Sequence, residues 1–138
     1  MDRQEYEQMK REKLRLLFYK YDQICESVSA REIGRVLGLD IDSHGRCRCP
    51  FHNGKDRNMV VYDNSNGHNG YNCFVCHANG NSIKFAQQIL GEGYTYNDAA
   101  RWIDVTFQLG ILGNPTPTPR ERRRRAELRA AQRRRQKE

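Results

Sequence analysis

Cys49-Pro-Phe-His52 and Cys73-Phe-Val-Cys76 each hold two metal-binding side chains with two residues between them, and twenty residues separate the two pairs. A tight turn at each pair aims both side chains to one side, and a hairpin between the pairs brings the four donors together. Three thiolates and an imidazole form a closed tetrahedral set, the preference of structural zinc, and leave no open position for a catalytic water. One structural Zn2+ is therefore expected at Cys49, His52, Cys73 and Cys76, since a Cys3His set favours zinc over iron. Cys47 competes for the place of Cys49 beside His52. The mirrored spacing of the second pair assigns that place to Cys49 and leaves Cys47 a spare, semi-exposed thiol next to the site. His77 follows Cys76 directly and points away, and His44 and His68 fall in turns. Cys25 sits on the apolar face of a helix, as a core residue does.

Composition agrees with a metal rather than disulfides. Four of the five cysteines and all four histidines lie between positions 44 and 77. No apolar run is long enough for a membrane span, and the charged start of the chain has no apolar signal region. The expected setting is a reducing, cytoplasmic one, near the nucleoid. With 37% hydrophobic residues in 138, the core must be small and in need of a staple.

The net charge of +7 belongs to one end. Positions 120–138 carry ten Lys/Arg against three Asp/Glu, so the remaining 119 residues are neutral. A basic tail of this kind selects a polyanion, most simply nucleic acid. Its clusters, Arg122, Arg123, Arg124 and Arg125 and then 133–135, would neutralise phosphates without regard to sequence. Around the first Cys/His pair stand Arg46, Arg48, Lys55 and Arg57, interleaved with aromatic residues. Cations that hold phosphates and rings that stack bases are the means of gripping a single strand. Tyr62 and Tyr71 are the expected stacking rings, because their hydroxyls tolerate a wet face. Phe51 and Phe74 are expected to fill the space beneath the metal.

The elements that position these groups follow from periodicity and turn chemistry. Residues 2–28 read as an amphipathic helix, with Met9, Leu14, Leu17, Phe18, Tyr21, Ile24, Cys25 and Val28 on one face. That face exceeds what a small ribbon needs to cover, which makes the helix a candidate surface for a protein partner or a second copy. Ser29-Ala-Arg-Glu32 is a capping box opening a short helix over 30–37, from which Ile33, Val36 and Leu37 should pack inward. Strands are expected at 59–62 and 71–74 with a turn between them, then helices over 82–90 and 95–109. The organisation is thus an N-terminal helix (1–28), a ribbon domain (29–112), a proline-rich linker (113–119) and an arginine-rich tail (120–138). By composition the tail is disordered, or helical on binding. The fold class is α+β: a small antiparallel zinc ribbon flanked by helices.

At these residues the chain resembles a known family. Cys49-Pro-Phe-His52 with Cys73-Phe-Val-Cys76, followed by Gly80-Asn81-Ser-Ile83-Lys-Phe85, is similar to the CHC-type zinc-binding domain of bacterial DnaG-type primases. The short stand-alone forms of phages and conjugative elements resemble it most. The likeness spans 30–105 and ends in the helix Asp98-Ala-Ala-Arg-Trp-Ile103. It implies a zinc ribbon that engages single-stranded DNA template, RNA offering the same phosphates and bases, in support of primer synthesis. The family's Thr-Pro-Ser-Phe-like stretch is here Asp56-Arg57-Asn58-Met59, which loses proline and serine and gains a charge. No cluster of carboxylates after position 105 could hold the two metals of a polymerase site, so no catalytic residue is expected. Chemistry would come from a partner, a catalytic primase subunit or a helicase. A zinc-stapled adaptor working through its N-terminal helix is the alternative.

Overall fold

The computed structural model describes residues 1–113 and 119–136. Most of the proline-rich linker, and the last two residues of the tail, lie outside the described residues. Helix α1 (Arg3–Ser27) and helix α2 (Ala30–Val36) precede four short strands, β1 (Arg46–Cys47), β2 (Met59–Val61), β3 (Tyr71–Cys73) and β4 (Asn79–Gly80). Helices α3 (Ser82–Leu90), α4 (Tyr96–Thr106) and α5 (Pro119–Gln136) follow. The architecture is α+β, with the strands in one antiparallel sheet of order β1-β2-β3-β4.

Local chemistry sets the boundaries. Ser29 Oγ accepts from the Glu32 N–H while the Glu32 carboxylate accepts from the Ser29 N–H, the reciprocal cap read from the sequence. Thr95 and Asp98 repeat that box at α4. Helix α4 stops at Thr106 instead of continuing to Leu109, because Gln108 and Gly110 both adopt left-handed backbone (φ 55° and 70°). The buried Asp104 carboxylate then accepts from the Ile111 and Leu112 N–H groups (2.8 and 3.2 Å), tying the departing chain back onto the helix. A carboxylate with two such donors is satisfied away from water.

One core joins the sheet to the helices. Cys47, Met59, Val61, Tyr71 and Cys73 point from the inner sheet face, and Ile24, Ile33, Ile83, Phe85 and Ile103 meet them from α1 to α4. Phe85 of α3 is the central contact, with its ring 4.7 Å from that of Tyr71 and 6.2 Å, edge-on, from that of Phe51. Arg31 fastens α2 to the sheet, its side chain donating to the Val61 carbonyl and its N–H to that of Tyr62. Gly70 (φ 76°) lets the hairpin close over β4, since a side chain there would collide with the Gly80 carbonyl.

Two expectations about packing change. Val36 is exposed, so of the three residues expected to pack inward only Ile33 and, in part, Leu37 do so. On α1, only Tyr21 and Ile24 are buried; Leu14 and Phe18 remain 52% and 59% exposed. The helix runs past the domain it belongs to, so the first half of its apolar stripe finds nothing to cover.

Candidate metal centre

The four donors converge. Cys49, His52, Cys73 and Cys76 bring their ligand atoms within 4.8 Å of one another, and among the described residues no other such His/Cys/Asp/Glu group forms. Cys49 Sγ lies 3.7 Å from Cys76 Sγ, and His52 Nδ1 lies 3.6 Å from Cys73 Sγ. Bonds of ~2.3 Å to sulfur and ~2.0 Å to nitrogen separate tetrahedral donors by roughly 3.5–3.8 Å. Chemistry and spacing both fit zinc.

Each pair of ligands sits on a similar backbone device, one residue longer at the first pair. Cys49 Sγ faces the N–H groups of Phe51 and His52, and Cys73 Sγ faces those of Val75 and Cys76. The Cys49 carbonyl accepts from the Gly54 N–H (3.1 Å) and the Cys73 carbonyl from the His77 N–H (3.0 Å). The residue after the second ligand is left-handed in both, Asn53 (φ 56°) and His77 (φ 64°). Gly54 fits closely under the imidazole, where a Cβ would lie 2.9 Å from His52 Nε2. Burial pushes the Cys49 thiol up to about 11 against the pull of its two N–H groups. Burial acts the same way on Cys73, but the donors from Cys76 and Val75 prevail and lower it. A metal must displace protons to form its thiolate bonds here, which makes loading pH-dependent.

The chain's residues 35–113, more than half its length, match the family model described as CHC2 zinc finger, the zinc ribbon of the DnaG type. The chain belongs to the CHC2 zinc finger family. No curated protein and no solved structure gives a significant match. The CHC2 zinc finger thus carries a single zinc site at Cys49, His52, Cys73 and Cys76.

Cys47 stands outside that site. It is buried opposite Met59 on the sheet's inner face, not semi-exposed, and burial raises its thiol pKa. His68 stacks on Tyr62 at 5.4 Å between ring centroids, and His44 and His77 approach no ligand cluster.

The cationic and aromatic residues divide by strand alternation. Cys47, Met59, Val61, Tyr71 and Cys73 face inward, so Arg46, Val60 and Asn72 face outward. Tyr62 and Phe74 follow β2 and β3 with the outward parity, and their N–H groups continue the pairing by donating to the Gly70 and Asn58 carbonyls. Tyr71 is the clear correction. It is 2% exposed, its hydroxyl donates to Gln88 Oε1 and burial pushes its pKa up to about 12, so its ring is unavailable for stacking. Alternation from Cys73, which must face the metal, already implied this. Phe74 is the second correction. Instead of lying beneath the metal it is 50% exposed, with the Arg46 guanidinium 4.9 Å over its ring. Phe51 does fill the interior, tilted against Tyr71 at 5.8 Å.

Arg48 and Lys55 are exposed. Arg57 is engaged: it donates to the Asp40 and Arg46 carbonyls and pairs with the Asp40 carboxylate at 2.7 Å, pinning the loop before β1. Arg122, Arg123, Arg124 and Arg125 lie exposed on α5, apart from the sheet. Among the described residues no helix is long and apolar enough to cross a membrane.

Proposed function

We propose that this CHC2 zinc finger binds single-stranded DNA across the outer face of its sheet, as the template-holding component of a primer-synthesis system in a mobile element. The observation that carries the reading is the Arg46–Phe74 pair, a cation over an exposed ring beside the metal. Phe74 does not stand alone, since its neighbour Val75 is also more than half exposed, and adjoining apolar side chains rimmed by polar ones mark a surface that a partner can cover. Tyr62 shares the outward parity, with His68 stacked on its ring. The exposed Arg46, Arg48 and Lys55 flank the first Cys/His pair in the chain, so bases would have rings to stack on and phosphates counter-charges. Arg57 supports the face by holding its loop, and the α5 arginines add sequence-independent affinity. The zinc is structural, and nucleotidyl transfer falls to a separate catalytic subunit. The working location is the cytoplasm, at the nucleoid.

Anisotropy of a labelled single-stranded oligonucleotide across a salt series tests this. The Phe74→Ala and Arg46→Gln/Arg48→Gln variants should each bind more weakly, and the paired arginine variant should flatten the salt dependence. Unchanged binding in both would remove the sheet face from the function.

A second reading rests on α1. Leu14 and Phe18 protrude one turn apart on one face, and Leu16 and Tyr19 protrude away from that face, so apolar side chains ring a helix that has run past its own domain. It supports an adaptor that docks on another protein, with the catalytic subunit or a helicase as the natural occupant. Loss of co-elution with that subunit in a Leu14→Glu/Phe18→Glu variant, at unchanged DNA binding, would favour it.

A further inference from the structure

A cavity of about 270 Å3 opens between α4 and the first turns of α5. Trp102 and Val105 form its apolar wall and Tyr94 one edge, while Arg101, Arg120 and Arg124 supply three cations against the acids Asp98 and Glu121. Arg120 builds the site: its guanidinium lies 4.4 Å over the Tyr94 ring and donates to the Glu92 carbonyl at 3.2 Å. That contact holds a helix with almost no apolar residues of its own against the domain. Arg124, one turn later, has no hydrogen-bond or ion-pair partner among the described residues. Of the two acids in the lining, Asp98 gives one carboxylate oxygen to the helix cap, and Glu121, like Arg101, is already engaged with another group.

The volume is slightly below the ~300 Å3 at which small-molecule sites begin, which suits one flat ring and excludes a helix or a folded peptide. The wall asks for an aromatic or apolar face, and the rim asks for an anion. A nucleotide has both. We propose that this cavity is a second nucleic-acid subsite that takes one nucleotide, its base against Trp102 and Val105 and its phosphate on Arg124. The choice of polyanion rests on the single-strand reading above, but the site is separate from the sheet face. It gives the basic tail a role beyond general attraction, because Arg120 fixes where on the domain the tail receives a strand.

Trp102 is the chain's single tryptophan, so its fluorescence reports this cavity alone. The zinc-loaded full chain would be titrated with the 5′-phosphorylated thymidine dinucleotide, too short to extend along the sheet face as well. The expected result is saturable quenching, weakened about tenfold or more by Arg124→Gln. Arg124→Lys, which keeps the charge, should recover part of it. Arg46→Gln/Arg48→Gln should leave it intact. Absence of saturable quenching, or equal quenching in Arg124→Gln, would overturn the subsite, as would inorganic phosphate reproducing the whole change. If long oligonucleotides bind normally while the dinucleotide is silent, this inference fails by itself. If the dinucleotide quenches as expected but the sheet-face variants bind long strands like the unaltered chain, the subsite stands and the sheet-face reading fails.

Discussion

The two knuckles have similar backbones and opposite fillers. In both, the first cysteine's sulfur faces two N–H groups, its carbonyl is closed by a donor past the second ligand, and a left-handed residue ends the turn. Yet Phe51 turns in against Tyr71 and Phe85, while Phe74 and Val75 turn out to 50% and 55% exposure. The metal requires only the turns. What each turn does with its spare side chains is decided by its neighbours: the first knuckle lies over α3, and the second carries its fillers past the end of β3 into solvent. The first serves the core and the second is free to serve a ligand.

Removing the metal erases the difference, and should be the largest effect. Structural zinc contributes an apparent ~10–16 kcal/mol in small domains, more than the whole stability of most. Chelation, or Cys73→Ser, should therefore abolish the dispersed NMR signals of the four strands together with the tertiary signals of Phe51 and Phe74. Survival of either knuckle's signals would mean that the sheet stands without its staple.

With zinc in place, the fillers should separate. Phe51→Ala removes a ring wedged between Tyr71 and Phe85 and should cost about 3 kcal/mol of unfolding free energy in urea melts. Phe74→Ala should change stability by less than about 1 kcal/mol, since half its surface is already in water. Its effect should instead appear in single-strand binding, as a loss of about 1–3 kcal/mol. The reverse assignment, a large stability cost at Phe74 and none at Phe51, would invert the roles given to the two knuckles.

The sequence carried the ligands and most element positions because those depend on local pattern. Paired donors two residues apart, the Ser29–Glu32 box and the run from Ser82 to Leu90 are each decided by their own residues. What escaped depends on neighbours distant in the chain. Phe51 and Val75 hold the equivalent place in the two motifs, and the position of α3 distinguishes them. Phe74 stands one place earlier, next to Cys73 and on the opposite face of the strand. Tyr71 was legible in principle, since alternation ties it to Cys73, but a tyrosine's tolerance for water argued the other way. The apolar stripe of α1 was real, yet no periodicity can say that the domain ends beneath Tyr21. The Arg120–Tyr94 contact joins parts of the chain 26 residues apart across the linker, with no motif to announce it.

The smallest effect is expected on the inner face, at alkaline pH. Burial raises the Tyr71 hydroxyl to about 12 from an ordinary value of 10.0. Below pH 10 the phenol is neutral in the folded and the unfolded chain, so it has no influence on the balance. Above that pH the unfolded chain ionises first and is favoured, and the loss ends only once the folded form ionises too. Between pH 10 and 11 this group alone should cost about 1 kcal/mol of stability. Tyr71→Phe removes the titration, so its stability should fall less steeply over that interval than that of the unaltered chain. At neutral pH the same variant forfeits the bond to Gln88, a loss of about 1 kcal/mol. The two stability curves should therefore converge as pH rises. Parallel curves would mean that Tyr71 reaches water, and the inner face beneath the first knuckle would then be less closed than its contacts with Phe51 and Phe85 require.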